Sequence, residues 1–271
     1  ILSKDLNISR STALRIYDIL LFEGLISSKK GSGYYVIYKT SKNQEKKIVN
    51  KHQYPKLSKK SELFKKNKYL STDNFSKTGV AFRPGLPPLD IFPVNKWKNI
   101  SNTYWRISKP SDLSYAPPEG LDRLRINISN YLRVYRNIRC DYNQIIITSG
   151  SLHSLYLISN AILDSGDKIG MENPTFPRAF NLFKSLKAKI IPCEIDDEGI
   201  LLNKLKTKVK FIYTTPSNQY PSGVKMSINR RNELLKWVSK NNSIIIEDDY
   251  DHEFSNIKDP IPSLFSLDNE E

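Results

Sequence analysis

Short apolar runs alternate with helical patterns along the chain from Gly79 onward. Each run has the length of a buried strand, and in each following stretch apolar residues recur at helical spacing. The predicted strands are Ile145–Thr148, Lys168–Met171, Lys189–Cys193, Val209–Thr214 and Ser243–Glu247. The predicted helices between them are Leu152–Leu163, Phe176–Leu186 and Ile228–Lys240. This alternation predicts an α/β fold with a doubly wound, mostly parallel sheet over residues 79–271.

Residues 1–39 carry a different pattern, in which a short helix and a turn precede a longer helix. Leu2–Leu6 is a short helical stretch, and Asn7-Ile8 forms the turn. Ser9 is a good N-cap for a second helix beginning at Arg10, and Gly24 is placed to end it. These residues predict a helix-turn-helix.

Two β-like runs follow, Leu25–Ser28 and Tyr34–Tyr38, joined by the basic and glycine-rich segment Lys29–Gly33. The predicted hairpin makes the front module a winged helix-turn-helix. In such a module the start of the second helix reaches base edges and phosphates. The predicted DNA-binding residues are Arg10, Ser11, Thr12 and Arg15 on the helix and Lys29 and Lys30 on the wing. Taken singly, each helix residue is equally well explained as an exposed polar residue at a helix start.

Residues 40–78 separate the two patterned regions and are rich in Lys, Ser and Asn. We predict a basic linker here, extended by charge repulsion, with a short helix near Ser61–Lys68. The chain carries a formal net charge of +14, and residues 1–80 hold 17 Lys and Arg against 6 Asp and Glu. A basic front end on a nearly neutral body is typical of a nucleic-acid-binding arm, although a solvated Lys-rich surface would give the same excess.

No apolar run approaches the roughly 18–20 residues that span a bilayer, so we do not expect a membrane protein. The two cysteines, Cys140 and Cys193, match no metal-ligand spacing and indicate no disulfide framework, which fits the cytoplasm.

Three segments of the second module carry candidate chemistry. Ser149-Gly150-Ser151 joins a predicted strand to a helix, an arrangement whose free backbone N–H groups favour phosphate. Asp248-Asp249-Tyr250-Asp251 follows another predicted strand, at the sheet edge where α/β proteins bind ligands. One buried Asp there would keep a pyridine nitrogen protonated, whereas a metal site or a solvated acidic loop are the alternatives. The polar loop Thr214–Gly223 follows a third strand.

The front module resembles the second half of a GntR-type winged helix. In that family a Ser-Arg-x-Thr start, a Glu-Gly end and a Gly-x-Gly wing recur, and here they stand as Ser9-Arg10-Ser11-Thr12, Glu23-Gly24 and Gly31-Ser32-Gly33. The family's first helix is absent, so the resemblance implies an incomplete module.

Residues 80–271 resemble the aminotransferase domain of the MocR/GabR-type regulators, which belong to the fold-type I pyridoxal-phosphate (PLP) proteins. The matching motifs are Phe82-Arg83-Pro84-Gly85, Phe92-Pro93, Tyr115–Gly120, Glu172–Pro177, Gln219-Tyr220-Pro221 and Asp248–Asp251. The forms of the last two motifs are closer to the regulators than to free-standing aminotransferases.

The resemblance implies a role for each of several residues. Gly150 and Ser151 would hold the cofactor phosphate, and Phe176 would stack on the pyridine ring. Asp248 would pair with the ring nitrogen, and Tyr250 would hydrogen-bond the phenolic oxygen, near which Tyr220 would also lie. Tyr115 would reach the phosphate of a partner subunit, which implies a homodimer, and Arg178 would bind an effector. Core packing is the alternative explanation for the two aromatic residues Phe176 and Tyr115.

The family's Schiff-base lysine is expected one strand beyond the Asp-Asp-Tyr-Asp motif, and the sequence stops at Glu271 before it. Lys258 lies too close to the motif to replace it. We therefore expect a fragment that holds half a cofactor site, in an incomplete fold-type I sheet, and that has no transaminase activity by itself.

Taken together, the two modules predict a PLP-responsive, DNA-binding transcription regulator whose effector is PLP or an amino compound. A PLP-dependent aminotransferase with an accessory DNA-binding module is the alternative. A DNA-binding protein whose second domain is only structural is a third reading.

Overall fold

A computed structural model describes residues 2–37, 56, 58–66, 88–203, 205–254 and 261–268. The chain divides into two compact units, residues 1–56 and 57–271. Most of the predicted linker lies outside the described residues, as do Tyr38, the segment Phe82-Arg83-Pro84-Gly85 and Lys258. No helix within the described ranges is long and apolar enough to cross a membrane.

The first unit contains two helices and an antiparallel hairpin. Its elements are α1 (Leu2–Asp5), α2 (Arg10–Phe22), β1 (Ile26–Lys29) and β2 (Gly33–Val36). The side chain of Ser9 accepts a hydrogen bond from the Thr12 backbone N–H, so α2 begins where the cap predicted it. The helix ends before Gly24, whose φ of 67° is left-handed. In the hairpin, Ile26 pairs with Val36 and Lys29 with Gly33.

The second unit contains seven helices and five strands among its described residues. The helices are α3 (Lys59–Lys66), α4 (Val94–Ile107), α5 (Asp122–Arg136), α6 (Ser151–Ile162), α7 (Pro177–Ser185), α8 (Ile228–Asn241) and α9 (Leu264–Leu267). The strands are β3 (Lys168–Asn173), β4 (Lys189–Asp196), β5 (Gly199–Ile200), β6 (Phe211–Thr214) and β7 (Ile244–Glu247). Their order in the sheet is β5-β4-β3-β6-β7.

The sheet is mostly parallel and carries a hydrophobic core on each face. Strands β4, β3, β6 and β7 are parallel, and only β5 runs antiparallel to its neighbour. Because strand side chains alternate between faces, Phe211 and Tyr213 join a core with α6 and α7, whereas Ile212 joins a core with α8. The doubly wound α/β architecture is therefore confirmed.

One predicted strand is wrong. Residues Ile145–Thr148 form no strand, and Ile146 is 59% exposed. A strand needs a neighbour with which to exchange backbone hydrogen bonds. Instead of a ladder, the segment has two separate backbone hydrogen bonds to residues outside it: the Ile147 N–H donates to the Glu119 carbonyl (2.8 Å), and the Ile145 N–H donates to the Tyr142 carbonyl (3.1 Å). A groove of about 1220 Å³, lined by Ile145, Ile158 and Ile244, runs beside it.

Strand β7 is only partly buried, which also departs from the prediction. It pairs with β6, and among the described residues no strand pairs with its other edge. Ile244 is accordingly 49% exposed, whereas Ile246 packs in the core beneath α6 and α7. The short helix predicted near Ser61–Lys68 is present as α3, and it packs against α7.

Candidate functional site

The candidate site lies at the carboxyl edge of the sheet, where three parallel strands end. The chain leaves β3 toward Phe176, leaves β6 toward Tyr220 and leaves β7 into Asp248. Because the strands are parallel and adjacent, these three exits meet at one edge. Each of the three loops carries a residue that was predicted from the sequence, and the fold brings these residues to the same edge.

Three of the predicted aromatic residues form a chain of ring contacts at this edge. The rings of Phe176 and Tyr220 meet edge-on with their centroids 5.4 Å apart. Tyr220 in turn meets Tyr250 at 6.4 Å, also edge-on. Burial raises the pKa of Tyr250 to about 12, so its hydroxyl keeps its proton at neutral pH and is able to donate a hydrogen bond. The cluster combines flat apolar surface with two phenolic hydroxyls.

Asp248 supplies a half-buried carboxylate next to this cluster. Its backbone N–H donates to the Thr214 carbonyl (2.9 Å), which fixes the residue just beyond the end of β7. Its Oδ2 accepts a hydrogen bond from the Tyr213 hydroxyl at 2.7 Å. Burial raises the pKa of Asp248, because the charged form is poorly solvated there. A cationic group beside this carboxylate would relieve that cost.

Asp249, the neighbouring carboxylate, has a structural role. It accepts hydrogen bonds from Arg136 at the end of α5 and from Ser217 in the loop after β6. These contacts tie the helix and the loop to the end of β7. The two neighbouring carboxylates therefore differ: among the described residues, Asp248 has one oxygen without a hydrogen-bond partner, whereas Asp249 accepts from two side chains.

Glu172, which the sequence analysis quoted only within a motif, organises the two loops beneath the aromatic cluster. This buried carboxylate accepts hydrogen bonds from the Thr214 hydroxyl, from the Thr215 hydroxyl (2.9 Å) and backbone N–H (3.3 Å), and from Gln219 (3.3 Å). Gln219 also donates to the Tyr220 carbonyl (2.7 Å). Desolvation raises the pKa of Glu172 in spite of these donors. The sequence feature that could have identified this residue is a glutamate within an otherwise apolar strand.

Gly150 and Ser151 lie at the start of α6, as predicted. Gly150 is the N-cap with a φ of 98°, and a Cβ built on it would meet nothing within 4 Å. Both residues are exposed, so the first turn of α6 offers backbone N–H groups to an anion. Helix α6 packs against α7, whose N-cap is Phe176.

The two remaining predicted residues of this unit, Arg178 and Tyr115, differ in exposure. Arg178 is half-buried in the first turn of α7, two residues beyond Phe176. Tyr115 is fully exposed, and within the described ranges its side chain makes no hydrogen bond. The structure therefore does not join Tyr115 to the aromatic cluster of its own chain.

The predicted DNA-binding residues are all exposed on the first unit. Arg10 and Arg15 project from the first two turns of α2, and Lys29 and Lys30 lie at the hairpin turn. The hydroxyls of Ser11 and Thr12 lie 2.8 Å and 2.7 Å from the Ser9 hydroxyl, so both side chains take part in the helix cap.

Metal binding was the alternative explanation of the acidic run. Over the residues that the structure describes, no group of three or more His, Cys, Asp or Glu side chains is arranged to hold a metal ion. Two carboxylates of the run are engaged by other side chains instead, Asp248 by Tyr213 and Asp249 by Arg136 and Ser217.

Comparison with known proteins gives this geometry a family. The model of the family "Aminotransferase class I and II" matches residues 85–263. The uncharacterized HTH-type transcriptional regulator YdeL of Bacillus subtilis is 34% identical over 99% of this chain and 55% of its own length. The probable rhizopine catabolism regulatory protein MocR of Rhizobium meliloti is 30% identical over 98% of this chain and 54% of its own length.

Among solved structures, the kynurenine aminotransferase of Pyrococcus horikoshii superposes with a TM-score of 0.65 and 30% identity, over 83% of this chain and 56% of that one. The present chain spans about half the length of the curated relatives that it matches. The similarity to the two regulators extends over both units, and the similarity to the enzyme family covers the sheet, its helices and the site at its carboxyl edge. The chain belongs to the aminotransferase class I and II family, whose members depend on PLP.

Proposed function

We propose that this chain is the DNA-binding and cofactor-binding part of a cytoplasmic, PLP-responsive transcription regulator. The observation that carries the proposal is the combination of two units on one chain. One unit presents exposed basic residues on a helix start and a hairpin turn, and the other belongs to a PLP-dependent family and brings Phe176, Tyr220 and Asp248 to one edge of its sheet. The regulators of B. subtilis and R. meliloti are similar to the chain across both units.

The residues of the sheet edge fit PLP chemically. Asp248 is a desolvated carboxylate with one oxygen held by Tyr213, and it suits a protonated pyridine nitrogen. Phe176 would pack on the ring, and Tyr220 and Tyr250 would donate to its phenolic oxygen. Gly150 and Ser151 leave open space and backbone N–H groups for the phosphate. When bound, PLP supplies an electron sink for bonds at an amino carbon.

The first unit is suited to double-stranded DNA as a partial winged helix-turn-helix. Helix α2 places Arg10 and Arg15 on its exposed side near its N-terminus, where a recognition helix reads base edges. Ser11 and Thr12 would contact phosphates through the capped turn, and Lys29 and Lys30 would contact phosphates from the hairpin.

The proposals of a homodimer and of an amino-compound effector depend on two residues outside the aromatic cluster. The full exposure of Tyr115 supports its assignment to the phosphate of a partner subunit, and hence a homodimer. Arg178, next to Phe176 in the chain, would bind the acidic group of an amino-compound effector. An effector acts on DNA binding only if it binds one arrangement of the two units more tightly than another.

The proposal is tested by measuring operator affinity of the complete protein with a fluorescent DNA fragment selected from random sequence. The expected result is a change in the dissociation constant of at least about fivefold when PLP, or PLP with an amino acid, is added. Equal affinity in all three conditions would refute the PLP response. Arg10→Ala is the control for specific reading of DNA, and it is expected to weaken specific binding only.

A second function, amino-group transfer by a complete enzyme with an accessory DNA-binding unit, has its own support. The enzyme from P. horikoshii is as similar in sequence as the R. meliloti regulator, at 30% identity. Steady turnover of an amino acid with a keto-acid acceptor by the complete protein would favour this function. If the complete protein retains no PLP, the second unit has only a structural role.

A further inference from the structure

Tyr213 lies on β6, directly beneath the carboxyl edge of the sheet, and its ring is wholly buried in the core between the sheet and α7. The rings of Tyr213 and Phe183 pack edge-on at 5.8 Å, so the phenol has a fixed orientation. A buried hydroxyl needs a hydrogen-bond partner, and this one donates to Asp248 Oδ2 at 2.7 Å. Burial, together with the neighbouring carboxylates, raises the pKa of Tyr213, so the hydroxyl stays a donor.

Asp248 is held by the same strand at two points. The Thr214 carbonyl accepts its backbone N–H, and the preceding residue, Tyr213, donates to its side chain. Within the part of the chain that the structure describes, Tyr213 is the hydrogen-bond partner of this carboxylate, and Oδ1 has none. The carboxylate therefore has one oxygen fixed by the protein and one available.

A buried tyrosine carries a hydroxyl that has to be hydrogen-bonded, which apolar packing alone does not require. Phe211, two residues earlier on the same face of β6, fills the same core without a hydroxyl. Among the residues that the structure describes, the hydroxyl of Tyr213 adds one hydrogen bond, the one to Asp248. The role of this hydroxyl therefore depends on the role of Asp248.

We propose that Tyr213 is a positioning residue for the cofactor: it fixes Oδ2 of Asp248, so that Oδ1 is presented to the ring nitrogen of bound PLP. The proposal rests on the proposed function, in which Asp248 pairs with that nitrogen. The neutral phenol orients the carboxylate without supplying a positive charge that would compete with the pyridinium. An arginine or a lysine in place of Tyr213 would form an ion pair with Asp248 and weaken the attraction of Asp248 for the protonated ring nitrogen.

The test compares Tyr213→Phe with Tyr131→Phe in the complete protein. Tyr131 is a matched control, because its hydroxyl contacts His252 and Glu253, both at 3.3 Å, and does not contact Asp248. The dissociation constant of PLP and the absorption band of the bound cofactor, followed against pH, are measured together with the melting temperature of the cofactor-free protein.

Tyr213→Phe is expected to weaken PLP binding by about tenfold, the effect of losing one hydrogen bond to a charged group. The pH at which the absorption band changes is also expected to shift, since the charge held beside the ring nitrogen alters the titration of the bound cofactor. Tyr131→Phe should leave both properties as in the wild-type protein. If Tyr213→Phe lowers only the melting temperature of the cofactor-free protein, the hydroxyl is merely structural and the proposal is overturned.

A double-mutant cycle with Asp248→Asn tests whether Tyr213 acts through Asp248. In the Asp248→Asn background, Tyr213→Phe is expected to have little further effect on PLP affinity. Additive losses would overturn the proposal. A wild-type protein that binds no PLP would refute the proposed function itself, whereas normal PLP binding by Tyr213→Phe would refute only the role of Tyr213.

Discussion

Two adjacent carboxylates, Asp248 and Asp249, show how burial and partners give the same side chain different roles. Asp249 is neutralised by Arg136 and bonded by Ser217, so it connects α5 to the loop after β6. Asp248 has a neutral partner and a raised pKa, which are the properties expected of a residue that pairs with a cationic ligand. Sequence position alone does not separate the two roles, because both residues directly follow β7.

Glu172 gives a prediction about pH at the residue scale. Its pKa is raised in the folded protein, so the native state holds this proton more tightly than the unfolded state does. The native state is therefore expected to lose stability as the pH rises from about 4.5 through the folded-state pKa. Glu172→Gln has no proton to lose in this range. The melting temperature of the variant minus that of the wild type should increase with pH.

The measurement is a series of thermal melts between about pH 4.5 and pH 8, within the range where proteins of this kind are usually stable. Glu233→Gln is the matched control, because it removes an exposed carboxylate from α8. A constant difference between Glu172→Gln and the wild type across the series would contradict the prediction.

At the scale of elements, periodicity predicted three helices of the second unit well because each of them has an apolar face, but it did not identify α4 or α5. Helices α6, α7 and α8 begin and end within one residue of their predicted bounds. The strand predicted at Ile145–Thr148 failed because an apolar run indicates only a preference, whereas a strand requires a partner. The loops were predicted from their residues. The hydrogen bonds that Glu172 accepts and that Tyr213 donates link positions about 35 to 45 apart in the sequence, and such long-range pairs leave no periodic signal.

Gly120 lies directly against Ile147 in the segment 145–148, and this close approach gives a second prediction. Its φ is 110°, and a Cβ there would lie 2.4 Å from Ile147 Cγ1. Gly120→Ala is expected to lower the free energy of unfolding by about 3 kcal/mol, through backbone strain and displacement of Ile147. Gly166→Ala is the control, since Gly166 has a φ of 98° but open space around it. Its cost should be only about 1 kcal/mol. Denaturant unfolding measures both, and equal costs would show that the Ile147 contact does not matter.

Helix α3 is held against the rest of the second unit by a few side-chain contacts, whose strength can be measured. The Phe64 ring meets Tyr156 of α6 edge-on at 6.4 Å, and Lys60 donates to Asn160 at 3.3 Å. Phe64→Ala removes the apolar part of this attachment. Backbone amides of residues 59–66 are expected to exchange with solvent about tenfold faster, while those of α6 and α7 are unchanged.

Lys65→Ala, which changes an exposed residue of the same helix, is the control for altered helix propensity. Hydrogen exchange read by mass spectrometry distinguishes the two variants. Equal exchange in Phe64→Ala and the wild type would mean that the aromatic contact does not hold the helix.

At the scale of the whole molecule, the positive charge is concentrated in the part of the chain that precedes the sheet. Residues 1–80 carry +11 of the total formal charge of +14. Binding to DNA would release counterions in proportion to the number of phosphates contacted, and the affinity would fall steeply with salt. The body contributes little to this dependence.

Lys30→Ala is therefore expected to reduce the slope of log affinity against log salt by about 1. Lys240→Ala, which removes an exposed lysine from the last turn of α8, should leave the slope unchanged. Fluorescence anisotropy over a range of salt concentrations measures both slopes. A loss of affinity in Lys30→Ala at constant slope would mean that this lysine does not contact a phosphate.

Helix α3 contacts two helices whose N-caps are residues proposed to hold the cofactor. Phe64 of α3 meets Tyr156 of α6, and α3 also packs against α7. The N-cap of α6 is Gly150, and the N-cap of α7 is Phe176. A segment that precedes the sheet in the chain therefore braces both helices, and the strength of a few side-chain contacts on α3 determines how firmly they are held.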